Sequence, residues 1–87
     1  MEIEFDTEKR NKTLLERGLD FSRAGEVFAG VTATREDARQ NYGETRLITI
    51  GCLDTRSVVL VWTLRGAVRR IISMRYAHES ETCKYAP

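Results

Sequence analysis

The stretch Ser57 to Arg65, SVVLVWTLR, constrains this chain more than any other. Its apolar run is unbroken and rich in β-branched residues, but far short of the ~20 residues that span a bilayer. Such a run fits a central strand covered on both faces. Gly66 follows at once and predicts a tight hairpin into AVRRIISMR, Ala67 to Arg75. On the other side the turn CLDTR links back to TRLITIG, a strand from Thr45 to Gly51. Three consecutive strands joined this closely predict an antiparallel sheet.

The N-terminal half predicts the layer that covers it. MEIEF alternates Met1, Ile3 and Phe5 with glutamates, as a half-buried strand does. Asp6 then stands as an N-cap, and a helix runs from Thr7 to Arg17. Its main apolar residues are Leu14 and Leu15, so it lies on the surface. Gly18 suits the left-handed position that ends a helix. Asp20 caps a second helix, in which Phe21, Ala24, Val27 and Phe28 fall at helical spacing and which Gly30 ends. Val31 to Thr34 reads as a short edge strand, Arg35 to Gly43 as a loop, and Ala77 to Tyr85 as a short C-terminal helix. The expected class is α+β: a small, mainly antiparallel sheet with two N-terminal helices and a short C-terminal helix. The 87 residues form a single domain, 1–87, by this reading.

Charge is distributed unevenly. Residues 1–44 hold 7 Lys/Arg against 10 Asp/Glu (7 − 10 = −3), and residues 45–87 hold 7 against 3 (7 − 3 = +4). Arg56, Arg65, Arg69, Arg70 and Arg75 lie in a stretch without a carboxylate. Such a stretch suits contact with an anionic polymer, and arginine suits bidentate phosphate contacts. A bias in base composition would enrich arginine equally. The acidic N-terminus lacks the apolar core of a signal peptide, so the expected compartment is the cytoplasm. Cys52 and Cys83 are then expected to be reduced. With a single histidine, His78, and no cysteine pair, no metal site and no cofactor are expected.

Strand alternation sorts the arginines. In a regular strand Arg69, Ile71, Ser73 and Arg75 share one face, and Val68, Arg70, Ile72 and Met74 the other. A bulge near Ser73 would bring Arg70 and Arg75 closer together.

The order of short motifs resembles that of BrnT toxins, the toxin half of a bacterial type II toxin–antitoxin pair. Phe5-Asp6, Lys9 and Asn11 match the family's W-D-x-x-K and following N. Gly18 and Phe21 match K-H-G-V-x-F, while Ala24 and Val27-Phe28 match A-x-x-V-F. GETR, Gly43 to Arg46, resembles G-E-x-R, and RIISMR resembles R-I-I-S-A-R. Ala77, Glu81 and Tyr85 fall where the family has A, E and Y. The likeness runs over nearly the whole chain. It departs at Glu16 and Arg17, which stand for the Lys and His of K-H-G. An arginine does not shuttle protons near neutral pH.

The resemblance implies a fold similar to RelE-type ribonuclease toxins and metal-independent endoribonuclease activity that inhibits translation. It also implies a cognate BrnA-like antitoxin, DNA-binding, whose complex with the toxin binds promoter DNA; the lack of a long apolar run separately predicts no membrane partner. Such cleavage needs a base for the 2′-OH, an acid for the leaving oxygen and cations around phosphorus. Arg70 and Arg75 are the candidate phosphate clamps, with Glu81 and Tyr85 completing the catalytic set. Arg46, Arg65, Arg69 and Lys12 are the candidate RNA contacts. The bland alternatives are ion pairs of Arg70 and Arg75 with Glu44, Asp54 or Glu81, a pair of Arg46 with Glu44, and a packed Tyr85. Trp62, inside the apolar run, is expected in the core rather than stacking on bases. With the family histidine replaced, the alternative function is a catalytically impaired module that binds antitoxin or RNA.

Overall fold

The computed structural model describes residues 2–37 and 43–78. Strand β1 spans Glu2–Phe5, helix α1 Thr7–Arg17, a 3-10 turn Phe21–Arg23 and helix α2 Ala24–Ala29. Strands β2 (Ala33–Glu36), β3 (Leu47–Leu53), β4 (Arg56–Arg65) and β5 (Val68–Tyr76) follow. The five strands form one sheet in the order β1-β5-β4-β3-β2. The apolar run is the central strand, as its composition requires. Strands β2 to β5 pair antiparallel with their neighbours, while β1 lies parallel to β5. The sheet is therefore mixed, and mostly antiparallel.

Local chemistry sets the boundaries. Asp6 accepts hydrogen bonds from the backbone of Glu8 and Lys9 at 2.8 and 3.2 Å, opening α1. Gly18 closes it at φ +71°, its N–H donating to the Leu14 carbonyl. No residue of α1 is buried, and Leu15 is 88% exposed. The helix is tied down at discrete points instead. The Arg10 guanidinium donates twice to Asp20, at 2.9 and 2.8 Å, and holds its carboxyl well below the usual carboxylate range. Asp20 also caps the next segment through the Ser22 N–H at 2.9 Å.

The second helix differs from expectation. Phe21 to Arg23 is a 3-10 turn, and only Ala24–Ala29 is α-helical. The tighter turn places Phe21, Ala24 and Val27 in the core with Leu19. These meet Leu53 of β3, Val58, Leu60 and Trp62 of β4, and Ile71 and Met74 of β5. Phe5 packs edge-on against Phe21, centroids 6.0 Å apart. Gly51 lets α2 lie against β3, since a Cβ there would sit 2.7 Å from a Val27 methyl. Trp62 is buried, as expected, and its indole N–H donates to Thr49 Oγ1 at 2.8 Å.

Two hairpins position the long strands. Asp54 and Thr55 both have positive φ, the conformation a two-residue type I′ turn demands. Gly66, at φ +62°, opens the second hairpin. Strand β2 falls two residues later than expected, at Ala33–Glu36, because its partner β3 begins at Leu47. Arg35 and Glu36 thus belong to the sheet, while residues 38–42 of the expected loop lie outside the described residues. The helix expected from Ala77 to Tyr85 also lies outside them, apart from Ala77 and His78, which are not helical. Cys52 is disulfide-bonded, which overturns the expectation of a reduced thiol. Spacing along the chain is a poor guide to spacing across a sheet. Among the described residues no helix is long and apolar enough to cross a membrane.

Candidate nucleic-acid interface

The helices cover one face of the sheet, and the cross-strand register assigns each arginine to a face; the helix-free face, called open below, nevertheless buries Ile48, Val59 and Thr63 and presents its arginines rather than its strand centres to solvent. Along β5, Arg69 pairs with Leu64, Arg70 with Thr63 and Ile71 with Trp62. The next pair is Ser73 with Val61, so Ile72 is an extra residue. This bulge reverses the alternation. Beyond it Met74 and Tyr76 join Arg69 and Ile71 on the covered face, and Ser73 and Arg75 join Arg70 on the open one. A regular strand would have sent Arg70 and Arg75 to opposite faces. The extra backbone residue makes them neighbours of the same surface.

Two further contacts extend the open face. The Thr63 hydroxyl donates to the Thr45 carbonyl at 2.6 Å, and the Asp37 N–H donates to the Arg46 carbonyl at 2.8 Å. These continue the ladder by one residue, placing Arg46 level with Thr63. A row therefore crosses the sheet in the order Asp37, Arg46, Thr63, Arg70, Glu4. Arg46 and Arg70 flank the central strand, their backbones roughly 10 Å apart. Arg65 lies one row further out. Arg75, opposite Val59, lies about 13 Å along the strand from Arg70, with Ser73 between them.

Three ion pairs on this face are loose. Arg70 Nη1 is 3.6 Å from Glu4, Arg65 Nη2 3.6 Å from Glu44, and Arg46 Nε 3.8 Å from Glu44. All exceed hydrogen-bond length, so each adds only about 0–1 kcal/mol and yields readily to a better anion. Glu44 does pair with Arg46, as the bland alternative had it. Asp54, however, binds Arg23, at 2.6 and 2.8 Å, and does not neutralise Arg70 or Arg75. The acid facing Arg70 is Glu4, which the sequence did not single out; only the parallel pairing of β1 with β5 brings it there. The Arg75 guanidinium donates to the Tyr76 carbonyl at 3.2 Å.

The other candidates scatter. Arg69 faces the helices, its guanidinium 4.0 Å above the Phe28 ring and 5.2 Å from Trp62. Its buried Nε makes no hydrogen bond. Lys12 lies on α1, beyond the outer edge of β5. Glu81 and Tyr85 lie outside the described residues. Arg17, at the family's histidine position, donates to the Met74 carbonyl at 3.0 Å. It satisfies a carbonyl on the edge of β5 past the end of β1.

This face joins residues from separate motifs: Arg46 of GETR in the same row as Arg70 of RIISMR, and Arg75 of RIISMR further along β5. A family model for BrnT, described as the ribonuclease toxin of a type II toxin–antitoxin system, matches residues 5–81. The chain belongs to the BrnT family. No curated protein matches it significantly. BrnT proteins are ribonuclease toxins, and membership in a type II system implies a protein antitoxin as partner.

Proposed function

We propose that this BrnT protein is a metal-independent endoribonuclease that cuts RNA on the open face of its sheet, inhibiting translation in the cytoplasm. The supporting observation is the bulge at Ile72, with Arg70, Ser73 and Arg75 on one surface beside Arg46. In this reading Arg46 and Arg70, on the two strands that flank Thr63, swing from their glutamates onto a phosphate and supply what its transition state requires. The ribose 2′-oxygen attacks phosphorus, the 5′-oxygen departs, and a 2′,3′-cyclic phosphate is left. Negative charge builds on the non-bridging oxygens, where Arg46 and Arg70 donate. Arg75 holds the strand further along. Arg65, sharing Glu44 with Arg46, extends the positive track, while Arg69 lies across the sheet and stays outside it. Glu81 and Tyr85 remain the proposed base and acid on the strength of the family resemblance. A fold of the RelE type is part of the same proposal.

The partner in this reading is a BrnA-like, DNA-binding antitoxin that neutralises the toxin and carries the complex to its promoter. Incubation of the purified protein with RNA in EDTA tests the chemistry. The expected result is cleavage leaving cyclic phosphate ends, lost in Arg70→Ala plus Arg75→Ala. Intact RNA at high protein concentration, with growth arrest indifferent to that double substitution, overturns it.

One observation favours the second reading, a module that binds antitoxin or RNA without cutting. Arg17 is engaged with the Met74 carbonyl where relatives carry a histidine. Arg17→His discriminates: cleavage that appears only in this variant supports the module, and cleavage by the unaltered protein removes it.

A further inference from the structure

Strand β1 ends at Phe5, opposite Ile71, so the outer edge of β5 has no strand neighbour from Ile72 onward. Helix α1 passes this edge, joined to it by the Arg17–Met74 hydrogen bond. Between helix and strand lies an open cavity of about 320 Å³. Its walls include Lys9, Lys12, Thr13 and Arg17 from α1, and Ile72 and Ser73 from β5. The single carboxylate there is Glu16, against three cations. Neither lysine ammonium pairs with an acid among the described residues. Paired cations elsewhere on the surface, such as Arg10 and Arg23, each have an acid within 2.8 Å.

Ser73 belongs to both places. By register it sits on the open face between Arg70 and Arg75, and it also forms part of the cavity wall. The bulge therefore joins the two surfaces over the edge of the sheet.

The geometry points to this cavity as a subsite for the phosphate backbone of the RNA strand as it leaves the open face. This rests on the ribonuclease reading above. Lys9 and Lys12 supply mobile charge, and Thr13 and Ser73 supply hydroxyl donors. The ligand is the backbone rather than a base. The aromatic ring in the wall, Phe21, is buried and presents no face on which a base can stack.

The test measures binding of single-stranded RNA, 2′-O-methylated throughout to prevent cleavage, at two salt concentrations. Lys9→Gln plus Lys12→Gln should weaken binding of a long oligonucleotide about tenfold and flatten the salt slope by about 0.7 per lost phosphate contact. The loss should grow with oligonucleotide length. Glu16→Gln should act in the opposite direction and tighten binding, a gain that misfolding cannot imitate. Unchanged affinity and slope in both variants, with RNA still bound and cut by the unaltered protein, overturns the subsite and leaves the ribonuclease reading intact. Loss of antitoxin binding alone, with RNA binding unaffected, likewise overturns it and assigns the cavity to an acidic protein segment. No binding or cleavage of RNA by the unaltered protein sinks the underlying reading instead.

Discussion

Arg69 and Arg70 are adjacent in the chain and behave as different kinds of residue. On the helix-covered face, Arg69 lies flat against Phe28 and Trp62 and works as a large, planar, mostly apolar group. Arg56 does the same over the Tyr76 ring, at 3.7 Å. Apart from Arg69 Nε, the polar groups described on that face pair internally, as in the chain of hydrogen bonds linking Trp62, Thr49 and Thr34. On the opposite face Arg70 has a loose pair with Glu4, at 3.6 Å, and Arg46 one with Glu44, at 3.8 Å. A guanidinium in a sequence is thus not a phosphate site until its face is known.

The sharpest way to break this comparison is to damage one face and measure both properties. Leu60→Ala, at a fully buried position of the covered face, should lower stability by about 2–5 kcal/mol in denaturant unfolding. Cleavage by the folded fraction should persist. Arg70→Leu should lower cleavage by about 10²–10³-fold, the scale of a lost transition-state donor, with little change in the unfolding midpoint. Arg69→Leu should do the converse, removing about 0.5–1 kcal/mol of stability and reducing cleavage far less than its neighbour does. Equal loss of cleavage in the two leucine variants would dissolve the distinction between the faces. Gly51→Ala should destabilise by about 1–3 kcal/mol, because the added methyl meets Val27 and α2 must shift.

The smallest effect concerns acid. Asp20 is held below its ordinary range by Arg10 and the Ser22 N–H. A carboxylate depressed in the folded state contributes fully above its unfolded pKa of about 3.9 and loses that contribution as pH falls. Stability should therefore decline from about pH 5 downward, and Asp20→Asn should flatten the decline. An acid profile identical in the variant would place the sensitivity elsewhere.

Local signals were readable from composition alone. Asp6 and Gly18 bracket α1 where the sequence places them, because caps depend on neighbours within a few residues. The central strand and both hairpins follow from an apolar run and from turn chemistry. The rest depends on partners distant in the chain. Glu4 faces Arg70 only through the parallel pairing of β1 with β5. The bulge was conceivable from RIISMR but undecidable, since it is a mismatch in count between two strands and belongs to neither alone. The 3-10 start of the second helix reflects the fit of Phe21 beneath Phe5, which no helical period encodes.

Ile72 gives the chain a constraint of length as strict as any constraint of composition. Replacing its side chain alters one half-buried contact. Excising the residue would turn the end of β5 inside out, taking Met74 and Tyr76 out of the helix-covered core and driving Ser73 and Arg75 toward the helices. Insertions and deletions at this point should be purged from any working copy of the protein, while ordinary exchanges of one apolar residue for another pass.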